Sequence, residues 1–172
     1  FVSPIGVETP NGFENYSGIM SISYYFDPAC QSGVQLAWNA ASDVVLSGGV
    51  VSSFSSYSLS AEIPSLIAMV EYTPDEDLYM AQILMSKEES DSGQYYQVYT
   101  SMSGTAHYGK THAQAEIDVA CTVPTSSASA SALITGIAAV YYDVVEQLQM
   151  GVRVEAVYDP DGIFTYMRIV DV

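Results

Sequence analysis

The sequence predicts an all-β fold, a single β-sandwich of about ten strands, and three observations carry the prediction. Apolar and polar residues alternate with a period of two in the clearest segments. Val, Ile, Tyr and Thr dominate the remaining apolar runs, and Gly, Pro and Asp separate them at short intervals. A chain of 172 residues supports one substantial core. With 49% apolar and 12% aromatic residues, 14 of them tyrosines, it can offset the entropy of folding.

In chain order, residues 1–12 read as an extended N-terminal arm, and residues 13–172 as the sandwich domain. In the arm, Phe1, Ile5 and Val7 project alternately, while Pro4 and Pro10 withhold ladder donors and favour an edge position. The first clear strand has Met20, Ile22, Tyr24 and Phe26 alternating with Ile19, Ser21, Ser23 and Tyr25. Strands are next expected at 33–38, 43–46, 50–59, 66–72, 78–85 and 94–102. Turns divide them at Asp27-Pro28, Gly48-Gly49, Thr73-Pro74-Asp75 and Ser92-Gly93. The stretch from Gly104 to Thr111 reads as a further turn.

From Gln114 to Val123, Ala115, Ile117, Val119, Cys121 and Val123 alternate with Gln114, Glu116, Asp118, Ala120 and Thr122. If the apolar set faces the core, Cys121 points inward. Residues 125–131 form a linker of small residues. Ile137, Val140, Tyr141, Val144, Val145 and Leu148 fall at helical spacing with Gly151 as a C-cap, so 137–149 fits a short helix. Its density of β-branched and Tyr residues fits a strand as well. Val152, Val154, Ala156 and Tyr158 then alternate with Arg153, Glu155 and Val157. After the turn Asp159-Pro160-Asp161-Gly162, a last strand is expected at 163–172. Jelly-roll and immunoglobulin-like topologies both accommodate this order.

Charge narrows the partners. Twenty acids against Lys87, Lys110, Arg153 and Arg168 give a formal net charge of −16. Phosphate backbones and anionic membrane surfaces require clustered cations, so nucleic acid is excluded as a partner, whereas divalent cations are favoured. No run of 18 apolar residues occurs, so the chain is not expected to span a bilayer. The start at Phe1, without Met, matches a chain exported after removal of a signal peptide, which predicts an extracellular or cell-surface location. Cys30 and Cys121, the only two cysteines, lack metal or redox spacing, and a disulfide between them is expected outside the cytosol. In the chain-entropy picture, closing a loop of about 90 residues contributes roughly 4 to 5 kcal/mol. Asn15-Tyr16-Ser17 matches the N-glycosylation pattern.

Candidate chemistry is sparse. His107 and His112 match no recurrent zinc spacing and read as exposed loop histidines. No nucleophile elbow is present, and no enzyme is expected. Acidic turns offer hard oxygen ligands: Asp159 with Asp161, and Asp75 with Asp77, are the calcium candidates, with Glu88, Glu89 and Asp91 a third cluster. No other cofactor is expected. Tyr24-Tyr25, Tyr95-Tyr96 and Tyr141-Tyr142 place a ring on each face of a strand, one for the core and one for a surface contact. Trp38, in an apolar run, is expected in the core.

The layout of an exported β-domain behind a short arm (Phe1, Val2, Ile5, Val7), with Tyr- and Ser-rich strands and few lysines, resembles donor-strand filament subunits. These are the bundling pili of archaea and related biofilm fibre proteins of bacteria. The resemblance implies a structural subunit whose arm completes the sheet of the next copy, giving a head-to-tail homopolymer. A secreted binding module or adhesin, calcium-dependent in one version, and a jelly-roll capsid or shell subunit are the alternative readings.

Overall fold

The computed structural model describes residues 32–52, 64–90, 93–125, 129–145 and 148–162. The alternation produces eight strands: β1 (Gly33–Asn39), β2 (Val44–Val51), β3 (Ser65–Tyr72), β4 (Leu78–Ser90), β5 (Gly93–Tyr108), β6 (Thr111–Pro124), β7 (Ser131–Val145) and β8 (Leu148–Tyr158). Each pairs antiparallel with its neighbour in sequence, so the strand order is simply β1 to β8 in one sheet. The all-β class is therefore as the sequence predicts. Instead of two packed layers, however, the described strands form a single meander, open at the outer edges of β1 and β8.

β4 to β8 are long, whereas β1, β2 and β3 have 7, 8 and 8 residues. β5, β6 and β7 run 16, 14 and 15 residues, two to three times the common length in water-soluble proteins. Tyr108 pairs with Thr111 across a two-residue turn in which Gly109 takes φ 60°, a conformation that costs glycine nothing sterically. Asp75 takes φ 52° between β3 and β4, and Asp tolerates that region better than most residues. The β1–β2, β3–β4, β5–β6 and β7–β8 connections lie at one rim, and the β2–β3, β4–β5 and β6–β7 connections at the other.

Register places side chains in rows across the sheet. On the buried face Ile67, Leu84, Tyr99, Ala120 and Leu133 line up from β3 to β7, all nearly inaccessible. One row toward the first rim stand Gln82, Ser101, Asp118 and Thr135. One row toward the second stand Ser65, Ser86, Gln97, Thr122 and Ser131. The exposed face carries Leu66, Val70, Ile83, Met85, Met102, Ile117, Ile134, Val140, Val152 and Val154.

Several expectations change. The alternation in residues 114–123 is correct, but its polarity is reversed. Gln114, Glu116 and Asp118 are buried while Ile117 and Val123 are exposed, so Cys121 stands on the outward side. Trp38, expected in the core, is 66% exposed. Residues 137–145 belong to β7 rather than to a helix, because pairing with β6 and β8 satisfies their backbone on both sides. Gly48-Gly49 is no turn and lies within β2, whose register puts Gly49 opposite Gln35 and Ile67. The segment expected to turn at 104–111 is mostly strand, with only Gly109 and Lys110 reversing the chain. The expected strands at 19–26 and 163–172, and all of 50–59 beyond Ser52, lie outside the described residues.

Gly151 occupies a close approach. A Cβ there would strike the ring of its cross-strand partner Tyr141 and the Val140 carbonyl. Tyr141 thus lies over a glycine, as aromatic residues do when they cover a bare strand position. Gly151→Ala should destabilise the sheet by about 1–3 kcal/mol, the range for overpacking. The denaturant midpoint reads this directly, and Ala156→Gly serves as a composition control.

Candidate functional site

The two faces differ in kind. Along β5 the exposed positions are Tyr96, Val98, Thr100, Met102, Gly104, Ala106 and Tyr108, and the opposite set is Tyr95, Gln97, Tyr99, Ser101, Ser103, Thr105 and His107. On β6 the exposed set is Ala113, Ala115, Ile117, Val119, Cys121 and Val123, against His112, Gln114, Glu116, Asp118, Ala120 and Thr122. Water-soluble sheets place the apolar set inside; β5 and β6 place theirs largely outside, while the buried face keeps the apolar row through Ile67, Leu84, Tyr99, Ala120 and Leu133 and the β7 residues Ile137, Ala139 and Tyr141. Glu71, Glu88, Glu116, Asp118, Asp143, Arg153 and Glu155 share the parity of the buried face, and Lys87 has that of the exposed face.

Aromatic residues on the exposed face cluster toward strand ends. Trp38, Tyr72, Tyr79, Tyr108 and Tyr142 lie toward the first rim, and Tyr96 and Tyr158 toward the second. Tyr72 and Tyr79 stack with centroids 6.1 Å apart, and the Tyr79 ring lies over Gly104. Beside them is an apolar depression of about 930 Å³, floored by small residues such as Ala113, Ala115 and Ala138. From Tyr96 to Tyr108 the strand rises about 3.4 Å per residue, roughly 40 Å. A tilt near 45° projects this onto roughly 28 Å.

The buried face is polar beyond what its own hydrogen bonds satisfy. Thr135 donates to Asp118 Oδ2 at 3.0 Å, while Asp118 Oδ1, Gln82 Oε1 and the hydroxyls of Ser65, Ser86 and Ser101 are buried without a partner. Native interiors leave few such groups unpaired, because each costs about 1–3 kcal/mol. Arg153 is bound to Glu155 at 2.8 Å. Toward the first rim, His112 Nε2 meets Asp143 Oδ2 at 2.6 Å, and Gln149 donates to Asp143 Oδ1 at 2.8 Å. The His107 backbone N–H donates to Asp77 Oδ1 at 2.7 Å, and the two imidazoles meet edge to face at 5.1 Å. Both histidines are thus directly paired strand residues, and the reading of them as exposed loop residues is corrected. Sequence spacing could not show this, since the pairing follows from the turn two residues wide between them.

The other candidate residues are dispersed. Asp75 and Asp77 lie at the first rim, where Asp77 also accepts from the Tyr79 hydroxyl at 3.3 Å. Asp159 and Asp161 follow β8 at the second rim, so the two acidic turns stand at opposite ends of the sheet. Among the described residues, no three His, Cys, Asp or Glu side chains converge as a metal site. Among the described residues, Cys121 has no disulfide partner. Phe1, Val2, Ile5, Val7, Asn15 and Cys30 lie outside the described residues. The paired tyrosines divide as expected: Tyr141 is buried and Tyr142 exposed, Tyr95 half-buried and Tyr96 exposed.

Among the described residues, no helix is long and apolar enough to cross a membrane, which leaves crossing by strands unaddressed. The family model described as "Putative beta-barrel porin-2, OmpL-like" matches the chain over residues 1–172. No curated protein and no solved structure matches it.

Proposed function

The chain belongs to the OmpL-like family of β-barrel porins, and from that premise we propose that it forms the wall of an outer-membrane pore for small hydrophilic solutes. The observation that carries the reading is a broad exposed apolar face set against a buried face that holds most of the charged strand residues, with β4 to β8 long enough to cross hydrocarbon at a tilt. Val152, 71% exposed, and its neighbours then face lipid, and the aromatic residues near the strand ends sit at the two interfaces. A bilayer offers backbone groups no water, so the outer edges of β1 and β8 must be paired, and closure into a barrel supplies that pairing. The rim bearing the β1–β2, β3–β4, β5–β6 and β7–β8 connections faces the periplasm, as short turns do in such barrels.

The reading replaces a filament subunit with a membrane wall because the exposed apolar surface runs over the whole sheet rather than along one groove. Protein purified in detergent and added to planar bilayers should give discrete conductance steps. The same preparation should pass neutral sugars across vesicles in a swelling assay. Intact fibres forming without lipid, with neither conductance nor swelling, would return the chain to the filament reading.

A further inference from the structure

We propose that the exposed face holds one phospholipid of the ethanolamine type, with an acyl chain in the apolar depression beside Tyr79 and the headgroup between Lys110 and the β3–β4 turn. The inference rests on the pore reading, which turns this face to lipid, and names one lipid that the face selects.

The depression matches an acyl chain in place and length. Its volume is about 930 Å³. Two successive cross-strand pairs floor it, Ala106 with Ala113 and Gly104 with Ala115, and the next pair is the bulkier Met102 with Ile117. From Ala106 to Met102 the strand advances about 14 Å, comparable with half of a hydrocarbon core roughly 30 Å thick. The stacked rings of Tyr72 and Tyr79 wall it on the β3–β4 side, and the cross-strand pair Val140–Val152 walls it on the other. A chain lying in such a trough gains dispersion contacts from floor and walls together, which a flat wall does not offer.

Charge at the first rim selects the headgroup. The Tyr108–Thr111 pair stands about 7 Å along the strand above Ala106–Ala113, and the turn that it closes carries the exposed Lys110. Among the described residues no carboxylate forms an ion pair with Lys110. Asp143, whose carboxylate senses its charge, is held by His112 and Gln149. Lys87 lies toward the second rim, Arg153 has the parity of the buried face, and Arg168 lies outside the described residues. The neighbouring β3–β4 turn, two strand spacings or about 10 Å away, carries the exposed Asp75 and Glu76. A phosphate thus meets the Lys110 ammonium, while a primary ammonium on the same headgroup donates to Asp75 or Glu76. A choline headgroup has no N–H to donate. A glycerol headgroup adds an anion without a cation, beside several carboxylates on a chain of net charge −16.

Native mass spectrometry of the full chain in detergent tests this by titration with phosphatidylethanolamine, phosphatidylcholine and phosphatidylglycerol of identical acyl chains. One ethanolamine lipid is expected to stay bound, about fivefold more tightly than the choline lipid, the scale of one hydrogen bond. Lys110→Gln, in an exposed turn, should weaken the ethanolamine lipid about fivefold, the scale of one lysine at a lipid phosphate. Asp75→Asn combined with Glu76→Gln should erase the difference between ethanolamine and choline lipids. Ala115→Leu fills the floor from the exposed side and should weaken all three lipids several-fold. Equal binding of ethanolamine and choline lipids, tighter binding of the glycerol lipid, or an Ala115→Leu protein that binds as the parent does overturns the inference alone when the same preparation conducts in a planar bilayer. A preparation that neither conducts nor retains any of the three lipids overturns the pore reading as well.

Discussion

Replacing Ile117 by arginine should destabilise the protein in lipid by about 2–4 kcal/mol, the range for a cation at the bilayer midplane of a strand barrel. Ile117 stands in the exposed row Val70, Ala81, Met102, Ile117, Gly136, Ala156, midway between the aromatic residues of the two rims. Reversible urea unfolding in vesicles measures the loss. Tyr108→Arg, at the end of β5, provides the depth control, because near an interface the same change costs about 0–1 kcal/mol. In a water-soluble sheet an exposed Ile117→Arg would fall within about ±0.5 kcal/mol. A small effect at both positions would therefore contradict lipid exposure of this face and leave the reversed polarity without a cause.

The same residue shows what the sequence made legible. The alternation through Ala115, Ile117, Val119 and Cys121 fixes a strand, and the structure bears that out with β6. It does not fix which face is inside, because period two is identical for a sheet immersed in water and one immersed in lipid. The signal that could have decided the matter was the composition of the polar set. Gln114, Glu116 and Asp118 in succession on one strand, with Arg153 and Glu155 on another, are costly in a sandwich core and ordinary inside a barrel. Screening for an apolar run of helical length could not detect crossing by strands, which need only about 9–11 residues with alternate positions apolar. Trp38 carries the same ambiguity: an aromatic residue at a strand end is expected at an interface in lipid and in the core in water. The helical spacing in residues 137–148 arose by coincidence of two interleaved sets, Ile137, Ala139 and Tyr141 on one face and Val140, Tyr142 and Val144 on the other. The pairing of His112 with Asp143 joins residues 31 apart, and only the β6–β7 register reveals it.

Tyr99→Ala should both weaken the fold and widen the passage. Tyr99 is among the largest fully buried side chains and sits at the centre of the apolar row formed with Ile67, Leu84, Ala120 and Leu133. Truncating a buried aromatic side chain costs about 3–5 kcal/mol where the surroundings cannot collapse. A sheet held by cross-strand hydrogen bonds on both sides of β5 has little freedom to do so. On the pore reading, interior side chains of a narrow barrel also fill the lumen, so the ring that supports the wall would obstruct transport. Unitary conductance of Tyr99→Ala is therefore expected to rise while its denaturant midpoint falls. Tyr99→Phe, which keeps the ring, should leave conductance unchanged and cost no more than about 1 kcal/mol, the scale of a single hydrogen bond. A Tyr99→Ala protein that is less stable yet conducts as the parent does would confine Tyr99 to packing and move the narrowest point to another row of the inner face.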